Sequence, residues 1–341
     1  MIKKFLQKFS KKFKTTIKII DVGARTGLES NLLVLSENSM TKILGFEPEP
    51  DEFHKLSKNT PSNVTILNTA LYSSQKEINL YVTNNPGLSS IYKPNFDLLS
   101  QLELKNNLDQ YRVVKKIKFL ASTLDNEAYS NNFEDADFIK IDTEGSEVDI
   151  LKGAENLLKS SILGLESEIS YTQQREGQFT FKDLTGLLDE FDFHIFDVRN
   201  KHQKRESGQR FGKRKGQLVY CDALFFKSIK GINELILNKS KNEKKYKICR
   251  SILIVSSYGY FDYAYEIFSS FKELFNEEEL KFIEKVFKKS ESIISKLPHF
   301  PGRGFVGLLF YKIGIFMGAG KWDNRSSNRF GENFLGNIDW W

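Results

Sequence analysis

Seven residues, Asp21-Val22-Gly23-Ala24-Arg25-Thr26-Gly27, follow a short apolar run and put two glycines four positions apart behind an acid. Glycine lets the backbone bend sharply and lets a ligand approach without a Cβ in the way. A dinucleotide fingerprint would space its glycines G-x-G-x-x-G, to seat a pyrophosphate on a helix N-terminus. Here the spacing is G-x-x-x-G, which favours a ligand without phosphates. An acid at Asp21 suits the positively charged amino group of a methionine moiety. Glu47 ends a second apolar run 24 residues after Gly23, and a carboxylate there can hold both ribose hydroxyls. The glycines alone could serve only a tight strand-to-helix turn. Paired with Glu47 they point to an adenosyl ligand, and S-adenosylmethionine is the expected cofactor.

A second concentration of chemistry lies in residues 137–155, DFIKIDTEGSEVDILKGAE. It reads as a buried strand ending on Asp142, a turn at Gly145 and an acid-rich helix. Glu147 and Asp149 fall in the first helical turn, where acids complement the helix dipole. Asp142 and Glu144 would instead project from the carboxyl end of a strand, where open α/β sheets place their ligand crevice. Glu168 is a third carboxylate candidate. Each of the three could act as a general base, or together they could offer hard oxygen ligands to Mg²⁺. His202 is a further base candidate, because it titrates near neutrality and sits in a basic stretch that could close over an acceptor. An exposed histidine with no such role fits the same sequence.

These residues need strands that end level with one another. From residue 15 onward, short apolar runs alternate with amphipathic stretches, the signature of βαβ units and a parallel sheet. Strands are expected from Ile17 to Val22 and over 43–46, 64–67, 78–82, 117–120, 138–141, 162–165, 194–198 and 218–226. Residues 84–95 hold two prolines and a glycine and are expected to form a loop. Residues 200–216 carry seven Lys or Arg and three Gly, and read as a mobile basic loop able to bind a phosphate or simply to be solvated. Beyond residue 228 the pattern turns helical, notably over 258–275 and 277–294. Three segments result: a basic amphipathic stretch over 1–14, an α/β domain over 15–228, and a mainly helical C-terminal extension over 229–341 that follows no recognised pattern.

Composition narrows the class. The chain has 341 residues, 40% of them hydrophobic, which supplies ample core. Fifty basic residues face 44 acidic ones, a net charge of +6 that permits an anionic partner without implying one. Two cysteines with no C-x-x-C pair support neither a disulfide framework nor a zinc site. The start is basic but develops no apolar run of signal-peptide length, so a cytoplasmic location is expected. Ile2, Phe5, Leu6, Phe9 and Phe13 recur at helical spacing among lysines. They read as an interfacial helix on anionic lipid at the inner membrane face or as a helix docked on the protein. Residues 305–320 are apolar but include Lys312 and fall short of the roughly 20 residues needed to span a bilayer.

The sequence resembles the FkbM family of methyltransferases, whose hallmark strand-turn-helix is FIKIDTEGSEVDILKGA over 138–154. Other features agree in order. The cofactor loop corresponds to Asp21–Gly27, the acidic second-strand end to Gly45-Phe-Glu-Pro48 and the residues after it, and the element following the third strand to Asn68-Thr69-Ala70. Further matches are Gly87-Leu-Ser-Ser-Ile91, Ser122-Thr-Leu-Asp125, Leu165-Glu-Ser-Glu168 and Asp222-Ala-Leu-Phe225. Arg25 stands where the family usually has Asn. The resemblance covers about residues 15 to 228 and implies a Rossmann-like class I methyltransferase sheet, mostly parallel with an antiparallel last strand. It implies cofactor contacts from Asp21, Gly23, Ala24, Arg25, Gly27, Glu47, Pro48, Asn68 and Ala70. It also implies O-methylation, commonly of a hydroxyl on a sugar, glycan or other small metabolite, as in polysaccharide biosynthesis. Two other readings stand beside it. A nucleic-acid methyltransferase or binder would use Arg303, Arg325, Arg329 and the aromatic tail, although the chain lacks the Asn/Asp-Pro-Pro-aromatic motif of base amino methylases. A non-catalytic component of a surface-glycan assembly would use the N-terminal helix or the C-terminal extension to dock on a protein partner or a membrane.

Overall fold

A computed structural model describes residues 2–24, 35, 41–58, 60–102, 105–208, 210–211 and 216–289, with isolated positions at 302, 304–306, 309 and 313. Among the described residues nine strands run in chain order: β1 Ile17–Val22, β2 Thr41–Phe46, β3 Val64–Leu67, β4 Lys76–Thr83, β5 Val113–Ala121, β6 Phe138–Ile141, β7 Gly164–Ser170, β8 Phe193–Gln203 and β9 Gln217–Lys227. The helices are α1 Ile2–Phe13, α2 Pro50–Ser57, α3 Phe96–Leu102, α4 Lys105–Leu108, α5 Leu124–Ser130, α6 Glu147–Lys152, α7 Glu155–Ser160, α8 Phe181–Asp189, α9 Ile229–Ile236, α10 Lys241–Ser257, α11 Phe261–Ser270 and α12 Glu277–Lys288.

Seven strands form one sheet in the order β3-β2-β1-β6-β7-β9-β8, while β4 and β5 make a separate antiparallel pair. The first five of the seven are parallel, and β9 runs antiparallel to both β7 and β8. This is the mostly parallel, doubly wound sheet with one reversed strand that the sequence leads one to expect. Register then does the positioning. Leu67, Phe46, Val22, Ile141 and Ser167 stand side by side across β3, β2, β1, β6 and β7. The next residue on each strand is therefore Asn68, Glu47, Gly23, Asp142 or Glu168. Five of the expected site residues thus share one level at the carboxyl edge. The strand order reverses between β1 and β6, the switch point where such sheets bind ligands.

Strand alternation divides the core between two faces. Ile20, Val22, Ile139, Ile141 and Phe225 pack with Leu124 and Ala128 of α5, Val148 and Leu151 of α6, Leu158 of α7 and Leu184 of α8. Ile17, Ile19, Phe138, Leu224 and Phe226 pack on the opposite face with α1 and with α9 to α12. The helices after residue 228 therefore form the second layer of an α/β/α sandwich, with no seam in packing at 228. They begin at Ile229, as the sequence leads one to expect; α10 occupies 241–257, and Gly259, at φ +96°, separates it from α11. β7 starts two residues later than expected and runs on to Ser170.

The amphipathic pattern of residues 2–13 is spent within the molecule. Phe5, Leu6, Phe9 and Phe13 are buried, with Phe5 edge-on to Phe261 and Phe287 and Phe13 edge-on to Phe275. At about 1.5–3 kcal/mol for each buried large apolar side chain, this holds α1 firmly on α11 and α12. Among the described residues no helix is long and apolar enough to cross a membrane.

Buried polar contacts join the C-terminal layer to the sheet. Lys247 of α10 pairs with Asp137 at 2.6 Å, Arg250 reaches the same carboxylate at 3.2 Å, and the Lys18 backbone N–H donates to it at 3.0 Å. The Tyr258 hydroxyl donates to Glu166 of β7 at 2.8 Å, and Glu166 also pairs with Arg199 at 3.3 Å. A hydrogen bond to a buried charge contributes about 1.5–3 kcal/mol. Tyr258→Phe should therefore lower the unfolding free energy by an amount in that range, read as a lower urea midpoint at unchanged slope. An unchanged midpoint would show that the hydroxyl contributes nothing.

Candidate active site

The level row opens onto a cleft lined by Gly23, Glu47, Pro48, Ala70, Asp142 and Thr143 among others, with Leu80, Pro86, Gly87 and Ile91 also in its lining. Gly23 adopts φ +80°, and a Cβ there would stand 1.9 Å from the Asp142 carbonyl oxygen. Its N–H donates to Phe46 O at 3.1 Å, while the Asp142 N–H donates to Val22 O at 3.0 Å. The turn after β1 is thus stitched to both neighbouring strands, and its tightness requires glycine.

The expected cofactor residues divide into two groups. Gly23, Glu47, Pro48 and Ala70 line the cleft. Glu47 is buried, and its Oε1 accepts the Glu49 backbone N–H at 2.9 Å. Asp21, Ala24 and Asn68 stand behind the lining. Asn68 donates its amide to Glu47 O and Pro48 O, both at 2.9 Å, and so shapes the loop that carries Glu47. Ala24 is buried close to Gly45, where an added Cβ would come within 3.2 Å of it. Asp21 is buried with Lys140 at 3.6 Å, and Lys140 lies 3.8 Å from Asp142. Burial pushes the Asp21 carboxyl up, against the pull of Lys140. Arg25 and Gly27 lie outside the described residues.

Asp142, Glu144 and Glu168 converge. One carboxylate oxygen from each lies within 4.8 Å of the others, and all three side chains are part-exposed. The turn that carries two of them is rigid. Glu147, at the start of α6, accepts from the Thr143 and Gly145 N–H groups and from the Thr143 hydroxyl, all at 3.0 Å. That is a structural role, as is that of Asp149, which accepts from the Tyr92 hydroxyl at 2.5 Å. Glu144 sits in the left-handed region at φ +58°, with Gly145 at φ +114°. A non-glycine residue persists there only when its surroundings over-determine it.

Electrostatics separates the three acids. Glu144 pairs with Arg175 at 2.9 Å, and Lys140 lies near Asp142. Among the described residues Glu168 has no cationic partner. Desolvation pushes Glu144 up to about 7, opposed by Arg175 and reinforced by Asp142. Desolvation also raises Glu168 well above the usual carboxylate range, reinforced by the charges of Asp142, Glu144 and Asp222. The folded chain therefore binds the Glu168 proton more tightly than the unfolded chain does. The resulting destabilisation is absent below the unfolded carboxylate range near 4.5 and grows as pH rises through the folded value. Glu168→Gln should accordingly be more stable than wild type at pH 8, with the difference vanishing near pH 4. A pH-independent difference in denaturation midpoints would contradict this.

His202 is not part of the constellation. β8 continues through residue 203, so His202 lies in that strand opposite Leu218, not in a loop, and is exposed. Among the described residues it makes no hydrogen bond to the three carboxylates. Residues 201–203 extend the ladder because they can pair with β9, which shortens the expected basic loop. Residues missed at first are Arg175, Ser90 and Lys140. Lys140 did carry a signal, as the only charge in a four-residue buried strand. Arg175 and Ser90 lie in irregular segments without a periodic pattern.

A sheet of this order, with a glycine turn and an acid ending the adjacent strand at the switch point, is the Rossmann-like class I methyltransferase fold. The sequence model of the methyltransferase FkbM domain matches residues 21–195, and the chain belongs to that family. It is 31% identical over 157 residues to methyltransferase sdnD of Sordaria araneosa, an alignment covering 40% of this chain. The chain spans 60% of the length of that relative. Among solved structures it is similar to the precorrin-6y C5,15-methyltransferase of Geobacter metallireducens GS-15 (14% identity, 66% of this chain and 86% of that one, TM-score 0.28). It is also similar to the N-terminal domain of EvdMO1 with S-adenosylhomocysteine bound (10% identity, 66% and 79%, TM-score 0.30).

Proposed function

We propose that the chain is an O-methyltransferase that modifies a hydroxyl of a sugar, a glycan or another small metabolite. The observation that carries this reading is the convergence of Asp142, Glu144 and Glu168 beside the cofactor cleft, with Glu168 unpaired by any described cation. When bound, S-adenosylmethionine supplies an electrophilic methyl group on sulfur, which a correctly aligned acceptor oxygen takes in line. Glu47, Pro48 and Ala70 hold the adenosyl end, and Gly23 admits the methionine end against the backbone. Alignment of acceptor and methyl contributes about 7–11 kcal/mol, whereas removal of the hydroxyl proton by a positioned base contributes roughly 10²–10⁴-fold. Glu168 is the base. Its raised proton affinity suits it to take the hydroxyl proton as the new carbon–oxygen bond forms.

The same trio favours a second reading, because three carboxylate oxygens so close together are a hard donor set that fits Mg²⁺. Asp142, Glu144 and Glu168 would hold the ion, which would acidify the acceptor hydroxyl. The two are separated by methyl transfer after exhaustive chelation: retained activity assigns Glu168 as the base, and loss restored by Mg²⁺ assigns the trio to the metal. The acceptor itself is found by mass spectrometry of surface polysaccharide from cells with and without the chain. Loss of one methyl group from one sugar is expected, and an unchanged spectrum would move the search to small metabolites.

A further inference from the structure

Among the described residues Arg175 has the largest of the fully buried side chains, and it lies in the loop between β7 and α8. That loop is fastened to residues 93–95: the Asn95 N–H donates to Gln174 O at 2.9 Å, and the Glu176 N–H donates to Lys93 O at 2.9 Å. The Arg175 Nη2 donates both to Leu88 O at 2.8 Å and to Glu144 Oε2 at 2.9 Å, and the guanidinium lies 5.3 Å from the Tyr111 ring. An apolar side chain of similar volume would fill this space without the desolvation cost of a buried cation, so packing alone does not account for it. Its two acceptors belong to opposite walls of the cleft. Leu88 ends the 3₁₀ turn Pro86–Leu88, whose Pro86 and Gly87 line one side, and Glu144 belongs to the turn that lines the other. Ser90 makes a second crossing, its Oγ donating to Glu144 O at 2.8 Å. Glu144 is thus gripped at its carbonyl and at its carboxylate in a backbone conformation that needs such support.

We infer that Arg175, together with Ser90, is a positioning pair that locks the 84–95 wall onto the Glu144 turn and so keeps the cleft shaped for its cofactor. This rests on the cleft being the S-adenosylmethionine site. The test is calorimetric titration of the full chain with S-adenosylhomocysteine. Arg175→Met should weaken binding at least about tenfold and Ser90→Ala about threefold, while Arg175→Lys, which keeps the charge but not the planar fork, should recover only part of the loss. Because both residues hold one element, the double variant should be no more than about twofold weaker than Arg175→Met. Wild-type affinity in a folded Arg175→Met chain, or fully additive losses, would overturn the inference. Should Arg175→Met show no melting transition, Ser90→Ala decides the matter, and unchanged affinity there would overturn it. A wild-type chain that does not bind S-adenosylhomocysteine would refute the cofactor reading itself, an outcome distinct from unaffected variants of a binding chain.

Discussion

Gly23→Ala is expected to abolish cofactor binding and to destabilise the chain by about 3 kcal/mol or more. Two independent costs act at this position. At φ +80° any side chain is strained, and the new Cβ would meet the Asp142 carbonyl oxygen at 1.9 Å. The Asp142 backbone cannot retreat cheaply, because its N–H is committed to Val22 O in the ladder between β1 and β6. Relief must therefore come from moving the glycine turn itself, which is the floor of the cleft. An alanine variant that kept wild-type affinity and stability would mean that the turn does not touch the cofactor and is not tight. Gly177, in the loop between β7 and α8, is the natural control. It too has positive φ, at +78°, but a Cβ there meets nothing within 4 Å, so Gly177→Ala should show only the modest backbone penalty and leave binding intact.

Glu168→Gln should reduce kcat by roughly 10²–10⁴-fold while leaving S-adenosylmethionine affinity within about threefold of wild type. The split follows from placement. Glu168 stands at the far end of the level row, across Asp142 from the glycine turn, and does not line the main cleft. The amide keeps the shape of the side chain and removes only its capacity to take a proton. Glu147→Gln is a different experiment, because Glu147 supports three backbone and hydroxyl donors of the turn, so its replacement should disturb folding and binding together. A Glu168→Gln chain with unaltered kcat would remove Glu168 from the chemistry.

Much of this was legible in the sequence, and the reason is the sheet. A buried parallel strand must be an apolar run, and it must end where a polar residue can face solvent or ligand. The runs ending at Val22, Phe46 and Ile141 therefore announced both strands and the site residues that follow them. Gly23, Glu47 and Asp142 could be named without knowing that the strands stand level, and the register supplied that fact. The helical pattern over 258–275 overran its helix at both ends, because Tyr258 caps α10 before Gly259 and α11 stops at Ser270, where a 3₁₀ turn follows. His202 was misplaced because lysines and a histidine can extend an edge ladder as readily as they fill a loop. Asn68, named for the cofactor, also donates its Nδ2 to the carbonyls of Glu47 and Pro48, a local bond that no spacing reveals. The Arg175 clamp was invisible for a related reason, since its partners at Leu88 and Glu144 lie 87 and 31 residues away and one of them is a backbone oxygen.

The central claim is that the cleft at the β1–β6 switch point binds S-adenosylmethionine, and calorimetric titration of the purified chain tests it most directly. Saturable one-to-one binding with a micromolar Kd, lost in Gly23→Ala, is the result this account predicts. No heat of binding at millimolar S-adenosylmethionine, from a chain shown to be folded by its cooperative melting transition, would contradict it.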